Sequence, residues 1–158
     1  MNAKVVSKEK LKRIISGLKS KGKRIVFTNG CFDLLHVGHT RYLKKARSYG
    51  DALVVALNSD RSVKRLKGNS RPILNQKDRA EILSELECVS YVTIFNEDTP
   101  AEIIKYILPD VLVKGADYKI EDIVGNDTVT ENGGKVVAVS LVKGKSTSVI
   151  IAKIKNEK

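Results

Sequence analysis

Tryptophan is absent from this chain of 158 residues, and aromatic residues make up only 5% of it. Proteins that bind nucleic acids by stacking bases interleave aromatic side chains with basic ones. Here the 29 lysines and arginines are spread along the whole chain without such interleaving. We therefore expect no nucleic-acid partner, and the formal net charge of +11 indicates a general attraction to phosphorylated small molecules.

Cysteines and long apolar runs are also scarce. Cys31 and Cys88 have no CxxC spacing and provide no disulfide framework, which suits a reducing compartment. No stretch approaches the roughly 20 consecutive apolar residues that span a bilayer. The start of the chain, residues 1–4, does not lead into the apolar core of a signal peptide. These absences predict a cytoplasmic protein without a membrane partner.

Histidine occurs twice, and both copies fall in one tetrapeptide. His36-Val37-Gly38-His39 follows the apolar run of residues 24–27 and the turn of residues 28–33, where a strand leads into a helix and α/β proteins hold phosphates. A spacing of three residues on a first helical turn lets both imidazoles converge on one ligand, and we expect Gly38 to leave room for that ligand. Two side chains cannot complete a zinc site, which needs three or four ligands. Hydrogen bonding to a polyphosphate fits the pair better.

Hydrophobic periodicity predicts an α/β fold. A length of 158 residues fits one domain. We expect residues 1–22 to form an N-terminal segment with an amphipathic helix at 7–20, and residues 23–158 to form the main domain. Five apolar segments are predicted as strands: 24–28, 52–57, 90–95, 110–113 and 135–141. Helices are predicted between them, at 37–49, up to about residue 66, from Asn75, from a Thr99 cap with Pro100 at the first helical position, and from Ser146. This alternation predicts a mostly parallel sheet with helices on both faces.

Several short segments resemble one enzyme superfamily. The segment Gly30-Cys-Phe-Asp-Leu-Leu-His-Val-Gly-His39 resembles the signature shared by cytidylyltransferases, phosphopantetheine adenylyltransferase and class I aminoacyl-tRNA synthetases. Further segments narrow the resemblance to the adenylyltransferases of D-glycero-β-D-manno-heptose 1-phosphate: Thr28–Asp33, Asn58–Asp60, Arg65–Gly68, Ser70–Pro72, Glu97–Pro100, Leu108–Asp110, Val113–Tyr118, Asn132–Gly134 and Ser146–Thr147. Lys114 separates this group from glycerol-3-phosphate cytidylyltransferases, whose corresponding segment is usually of a Met-Gly-Asp-Asp-Trp type.

The resemblance implies a Rossmann-like fold of the nucleotidyltransferase type and a reaction in which a sugar 1-phosphate attacks the α-phosphorus of ATP. His36 and His39 then hold the α-phosphate and its transition state as catalytic residues. The remaining nucleotide-binding candidates are Asn29, Gly30, Cys31, Phe32, Gly38, Lys114, Asp117, Ser146, Thr147 and Ser148. The substrate-binding candidates are Asp33, Asn58, Lys67, Arg71, Arg79 and Tyr118.

Some of these residues have a structural explanation as well. Asp33 is either a turn organiser or a direct ligand, and the turn role is favoured because short carboxylates often fix turns. Arg79 is either ligand-facing or an ordinary charge on a helix surface. Ser146, Thr147 and Ser148 can cap a helix and also contact phosphates. Cys31 is expected to be a small buried turn residue rather than a nucleophile, because no further histidine exists to activate it.

The implied cofactor is Mg²⁺, bound mainly through the nucleotide phosphates, because no carboxylate cage is visible. A cytidylyltransferase acting on glycerol 3-phosphate or another small phosphate ester is the alternative, and a noncatalytic nucleotide- or RNA-binding module is the rival from another class. The implied partners are ATP and the sugar 1-phosphate, with a homo-oligomer and a separate heptose kinase upstream. No kinase-sized segment is present, so we expect a standalone enzyme or one half of a split pair.

Overall fold

A computed structural model describes residues 2–157. It contains a single five-stranded sheet in the order β3-β2-β1-β4-β5, and all neighbouring strands are parallel. The strands are β1 (Ile25–Gly30), β2 (Ala52–Asn58), β3 (Tyr91–Phe95), β4 (Val111–Gly115) and β5 (Lys135–Val139). The helices are α1 (Lys8–Ser20), α2 (Val37–Arg47), α3 (Asp60–Lys67), α4 (Gln76–Ser84), α5 (Ala101–Ile107), α6 (Asn126–Glu131) and α7 (Thr147–Asn156). The predicted fold class is confirmed.

The sheet is covered on both faces, and the apolar run of residues 52–57 in β2 is buried throughout. In β2, Val54 and Ala56 point into the cluster that includes α1, α5 and α6, whereas Leu53, Val55 and Leu57 point into the cluster that includes α2 and α4. Alternate residues of a strand face opposite sides, so an uninterrupted apolar run is what a doubly covered parallel strand requires.

The N-terminal segment packs on the same sheet. Leu11 and Ile15 of α1 are buried in the core beside α5, and the Lys12 ammonium donates to the backbone carbonyl of Tyr106. Before α1, the backbone of residues 4–6 pairs with Val92 of β3 through two hydrogen bonds of 2.9 Å. These bonds cover part of the β3 edge, which would otherwise be open to pairing with another chain.

Several of the predicted elements need correction. β1 and β4 continue two residues further than predicted, because polar residues at their carboxyl ends keep pairing in the ladder. β5 ends at Val139 rather than at residue 141, and α2 ends at Arg47 rather than at residue 49. Pro100 is the N-cap of α5, with no side-chain capping bond, rather than its first residue. The segment described as less regular contains a 3-10 turn (Ile120–Asp122) and α6.

Among the helices of residues 2–157, none combines the length and apolar composition that crossing a bilayer requires.

Candidate active site

A cleft of about 620 Å³ opens at the carboxyl ends of the strands. From β1 the chain adds β2 and β3 on one side of the sheet and then β4 and β5 on the other side. The cleft lies where this strand order reverses, which is the place where open α/β sheets bind ligands. All but one of the predicted site residues line it: Asn29, Gly30, Cys31, Phe32, Asp33, His36, Gly38, His39, Asn58, Lys67, Arg71, Lys114, Asp117, Tyr118, Ser146, Thr147 and Ser148.

The two histidines are held by the start of α2. His36 is the N-cap, and its Nδ1 accepts a hydrogen bond from the backbone N–H of Gly38 at 3.1 Å. His39 completes a capping box, because its Nδ1 accepts from the backbone N–H of His36 at 3.4 Å. Since both Nδ1 atoms are acceptors, the proton of each neutral imidazole is assigned to Nε2. The capping box therefore leaves two Nε2–H donors for a ligand.

The two rings are stacked, and their surroundings favour the neutral form of each imidazole. Their centroids are 3.8 Å apart. Burial and the neighbouring His36 lower the pKa of His39 to about 4, and burial together with the charge of Lys145 lowers the pKa of His36. Near neutral pH His39 is therefore a hydrogen-bond donor without a full charge.

Gly38 is needed for a different reason from the predicted one. A Cβ on this residue would lie 2.8 Å from Cε1 and 2.9 Å from Nδ1 of His36. The missing side chain leaves room for the imidazole of His36 rather than directly for the ligand. Gly30 is similar, because a Cβ there would lie 2.9 Å from the ring of Phe32, whose edge in turn meets His39.

The turn between β1 and α2 stores backbone strain. Phe32 and Leu34 have φ angles of 45° and 49°, in the left-handed region that bulky residues rarely adopt. Such conformations persist only where the surroundings hold them. Here Thr147 Oγ1 donates to the backbone carbonyl of Asp33, between the two strained residues.

Asp33 anchors a loop, and both of its carboxylate oxygens are engaged in doing so. Its side chain is fully buried, and it accepts hydrogen bonds from Arg71 Nε at 2.9 Å and from the backbone N–H groups of Ile73 and Leu74 at 2.7 and 3.0 Å. Burial alone would raise its pKa, but these hydrogen bonds and the Arg71 charge lower the pKa below its usual value. The geometry supports the turn-organising alternative over direct contact with substrate.

Arg79 is the predicted site residue that does not line the cleft. Its side chain is 1% exposed, so neither the ligand-facing nor the surface interpretation is right. The guanidinium donates to four protein oxygens: the carbonyls of Leu74, Cys31 and Asn58, and the carboxylate of Asp60. These groups lie at the ends of β1 and β2 and beside α3 and α4. Arg79 therefore supports the cleft from beneath.

Asn58 lines the cleft, but its amide is used within the protein. Its Nδ2 donates to Ser62 Oγ of α3 at 2.9 Å, and its backbone carbonyl accepts from Arg79. Lys67 and Arg71, by contrast, reach the cleft from the segment that follows β2. Because only Nε of Arg71 is engaged by Asp33, its two terminal nitrogens remain for an anionic ligand.

Lys114 lies deep in the cleft, between β1 and β4. Its ammonium is 3.4 Å from both the backbone and the side-chain oxygen of Asn29, and it lies over the ring of Tyr118, 5.6 Å from the centroid. Burial lowers the pKa of Lys114, with the nearby Asp117 acting in the opposite direction. Tyr118 itself is 52% exposed at the rim.

The start of α7 forms the wall on the β5 side. Ser146 is confirmed as the N-cap, and its hydroxyl accepts from the backbone N–H of Val149. Lys145, immediately before it, also lines the cleft and was missed by the sequence analysis. Its adjacency to Ser146 was the available signal, but one lysine among so many is not distinctive.

Tyr42 is a buried residue of α2, and its hydroxyl has a specific role. Its Oη donates to the backbone carbonyl of Val113 in β4 at 3.0 Å, and Thr28 Oγ1 of β1 lies 2.8 Å away as a second partner. Burial raises the pKa of Tyr42 to about 12. This buried hydroxyl fixes α2, and with it both histidines, over the junction of β1 and β4.

Cys31 is half-buried and lines the cleft, rather than being fully buried as predicted. Burial raises the pKa of its thiol despite the nearby basic residues. A thiol with a raised pKa is a poor nucleophile at neutral pH.

The described residues, 2–157, contain no group of three or more histidine, cysteine or carboxylate side chains that could hold a metal ion. Asp33 has both oxygens engaged. The residues present thus fit a cation that arrives with its own phosphate ligands, not one held in a protein cage.

Comparisons with known proteins show which family and which characterised relatives this chain resembles. A family model described as cytidylyltransferase-like matches residues 27–156. The bifunctional protein HldE of Geobacter sulfurreducens is 54% identical over 153 residues, which is 97% of this chain and 31% of the relative. That of Aliarcobacter butzleri is 54% identical over 158 residues, 99% of this chain and 32% of the relative. The chain thus spans about a third of the length of these relatives.

One solved structure is similar over most of the fold. The crystal structure of the lipopolysaccharide core biosynthesis protein from Thermoplasma volcanium GSS1 superposes with a TM-score of 0.63 at 31% identity. The match covers 78% of this chain and 100% of that chain.

Proposed function

Since the chain belongs to the cytidylyltransferase-like family of nucleotidyltransferases, we propose that it transfers AMP from ATP to D-glycero-β-D-manno-heptose 1-phosphate. The products are ADP-heptose, for the inner core of lipopolysaccharide, and pyrophosphate. The observation that carries the proposal is the pair of Nε2–H donors that the α2 capping box directs to the cleft. The similarity to HldE proteins and to a lipopolysaccharide core biosynthesis protein supports the sugar acceptor.

The reaction requires little from the protein beyond positioning. A phosphate oxygen of the sugar 1-phosphate forms a bond to the α-phosphorus, and the bond from that phosphorus to the oxygen bridging to the β-phosphorus breaks. The bonding electron pair leaves with pyrophosphate. Because the attacking oxygen is already anionic at neutral pH, no general base is needed, and charge stabilisation carries the catalysis.

The cleft residues suit these tasks. His36 and His39 donate to the α-phosphate oxygens, whose negative charge grows in the transition state. In the proposed reaction Arg71 and Lys67, which line the cleft on the β2 side, bind the acceptor phosphate. Lys114 and Tyr118, which line the cleft at the end of β4, contact the nucleoside or the sugar in this reaction.

Mg²⁺ fits this site as a companion of the triphosphate. When bound, it would neutralise charge on the β- and γ-phosphates, held mainly through their oxygens. The hydroxyls of Ser146 and Ser148, which line the cleft at the α7 wall, would bind such a complex. A cytoplasmic location, a homo-oligomeric state and a separate kinase that supplies the sugar 1-phosphate remain predictions.

The proposal is tested by measuring pyrophosphate release with ATP and with CTP, each in the presence of heptose 1-phosphate or glycerol 3-phosphate. We expect release with ATP and heptose 1-phosphate only, and ADP-heptose as the second product by mass spectrometry. A preference for CTP with glycerol 3-phosphate would overturn the proposal in favour of a cytidylyltransferase. ATP binding without turnover of any pair would favour a noncatalytic module.

A further inference from the structure

Lys145 is a cation at the cleft that the roles above do not use. It precedes the N-cap of α7 and lines the cleft. No hydrogen bond or ion pair of its ammonium is found within residues 2–157, whereas its backbone N–H donates to Val142. A lysine that lines a cleft beside the candidate catalytic pair without an acidic partner is available to an anionic ligand.

The side chain of Lys145 lies against the start of α2. Its Cβ is 3.4 Å from the position that a Cβ on Gly38 would occupy, so the base of its side chain lies beside Gly38, one of the two residues between the histidines. The positive charge is near enough to His36 to act, with burial, in lowering the pKa of that imidazole. Besides Lys145, the titratable group in contact with His36 is the stacked ring of His39.

The order of the strands separates Lys145 from the acceptor-binding residues. Lys67 and Arg71 follow β2, whereas Lys145 follows β5 at the other side of β1, whose carboxyl end leads to the histidines. In phosphoryl-type transfer the attacking and leaving oxygens lie roughly in line on opposite sides of the phosphorus. With the acceptor on the β2 side and the α-phosphate at the histidines, the leaving group lies on the β5 side.

We propose that Lys145 is a further substrate-binding residue, whose ammonium binds the β- and γ-phosphates of ATP and neutralises the pyrophosphate as it leaves. As the bond between the α-phosphorus and the bridging oxygen breaks, its electron pair adds negative charge to the departing pyrophosphate, and Lys145 stabilises that charge together with the N-terminus of α7. This assignment rests on the proposed nucleotidyl transfer, and it adds a residue to the leaving-group side.

The test compares the wild type with Lys145→Met, Lys145→Arg and the control Lys143→Met. Lys143 is exposed two residues earlier and does not line the cleft. Titration calorimetry with inorganic pyrophosphate is expected to show about tenfold weaker binding for Lys145→Met, the loss of one charge-assisted hydrogen bond. Lys145→Arg retains binding, and Lys143→Met matches the wild type. Equal pyrophosphate affinity of Lys145→Met and the wild type would overturn the assignment.

The NMR titration of His36 tests whether the Lys145 ammonium lies close to that ring or only adds to the overall charge of the protein. The chain has only two histidines, so their titration by NMR is readily assigned. Removing the ammonium in Lys145→Met should raise the pKa of His36, and Lys143→Met should not. An unchanged His36 titration in Lys145→Met would contradict the placement of the ammonium.

Steady-state kinetics complete the test. We expect kcat of Lys145→Met to fall by about 10- to 100-fold, less than for a rigidly held donor, with the KM for the sugar 1-phosphate unchanged. Unchanged kcat with unchanged pyrophosphate inhibition would count against the assignment. Pyrophosphate binding does not depend on the acceptor, so the calorimetry decides the role of Lys145 even if the wild type fails to transfer AMP to a heptose phosphate.

Discussion

The carboxylate of Asp33 lies beneath Arg71, with Oδ2 2.9 Å from Nε, and the Asp33 side chain is completely buried. The same carboxylate accepts the backbone N–H groups of Ile73 and Leu74. One buried charge at the end of β1 thus fixes the segment that presents Arg71 to the cleft. The relationship connects the turn before the histidines with the proposed acceptor site.

Asp33→Asn should therefore impair acceptor binding and stability together. An amide retains the shape, but it removes the charge and presents an NH2 group to donors that need an acceptor. We expect a loss of about 2–3 kcal/mol in the free energy of unfolding in urea and a raised KM for the sugar phosphate. The control Asp98→Asn disrupts the exposed pair with Arg65 and should cost less than about 1 kcal/mol. Equal losses for the two variants would contradict the role of Asp33.

Gly38→Ala should reduce turnover while leaving the protein folded. The new Cβ would lie 2.8 Å from the ring of His36, so the imidazole must leave its capping position. We expect kcat to fall by about 10- to 100-fold, approaching the loss of one preorganised donor, with an unchanged circular dichroism spectrum. In the control Gly17→Ala, within α1, nothing lies within 4 Å of the new Cβ, and a gain of about 0.5–1 kcal/mol in stability is expected. Full activity of Gly38→Ala would show that the His36 position is not critical.

Arg79→Lys should destabilise the protein rather than weaken substrate binding alone. Lysine keeps the charge, but it cannot reproduce the forked bonds to three carbonyls and the Asp60 carboxylate. A decrease of about 3 kcal/mol or more in the urea unfolding free energy is expected. Arg61→Lys, at an exposed position of α3, should change stability by less than about 0.5 kcal/mol. If Arg79→Lys is as stable as the wild type and only its KM rises, a ligand-facing role is correct after all.

Stability should decrease as the pH falls below the ordinary range of histidine. The folded state lowers the pKa of His39 from 6.5 to about 4, so it favours the neutral ring, and this contribution is present above pH 6.5 and lost as the pH falls towards 4. Protonation at Nδ1 would also break the capping bond from the His36 backbone. Urea unfolding at several pH values should show this decline, and it should be reduced in His39→Gln. A His39 that titrates near 6.5 by NMR would contradict the burial of its ring beside His36.

The strands and the histidine site follow from local sequence. The apolar run of residues 52–57 is a strand because burial on both faces demands it, and the glycine and histidine pattern marks the turn before α2. The carboxyl ends of β1 and β4 were predicted too short because Asn29, Gly30 and Lys114 pair through the backbone alone. Their side chains carry no hydrophobic signal.

The supporting residues follow from tertiary contacts. Arg79 is buried because oxygens from the end of β2, the first residue of α3 and the segments after β1 and before α4 converge on it, and no periodicity in its own helix indicates that convergence. Tyr42 is a buried residue of α2, but its hydroxyl partners, Thr28 and Val113, come from two different strands. Lys145 is set apart from other lysines only by its position over Gly38.

The most direct test of the account is single-turnover AMP transfer by His36→Ala and His39→Ala, with ATP affinity measured in parallel. If the paired Nε2–H groups stabilise the α-phosphate transition state, each variant should remain folded and bind ATP within a few fold of the wild type. Each should lose about 10²–10³-fold in the rate of transfer. Transfer at the wild-type rate by either folded variant would contradict the central claim that this pair performs the chemistry.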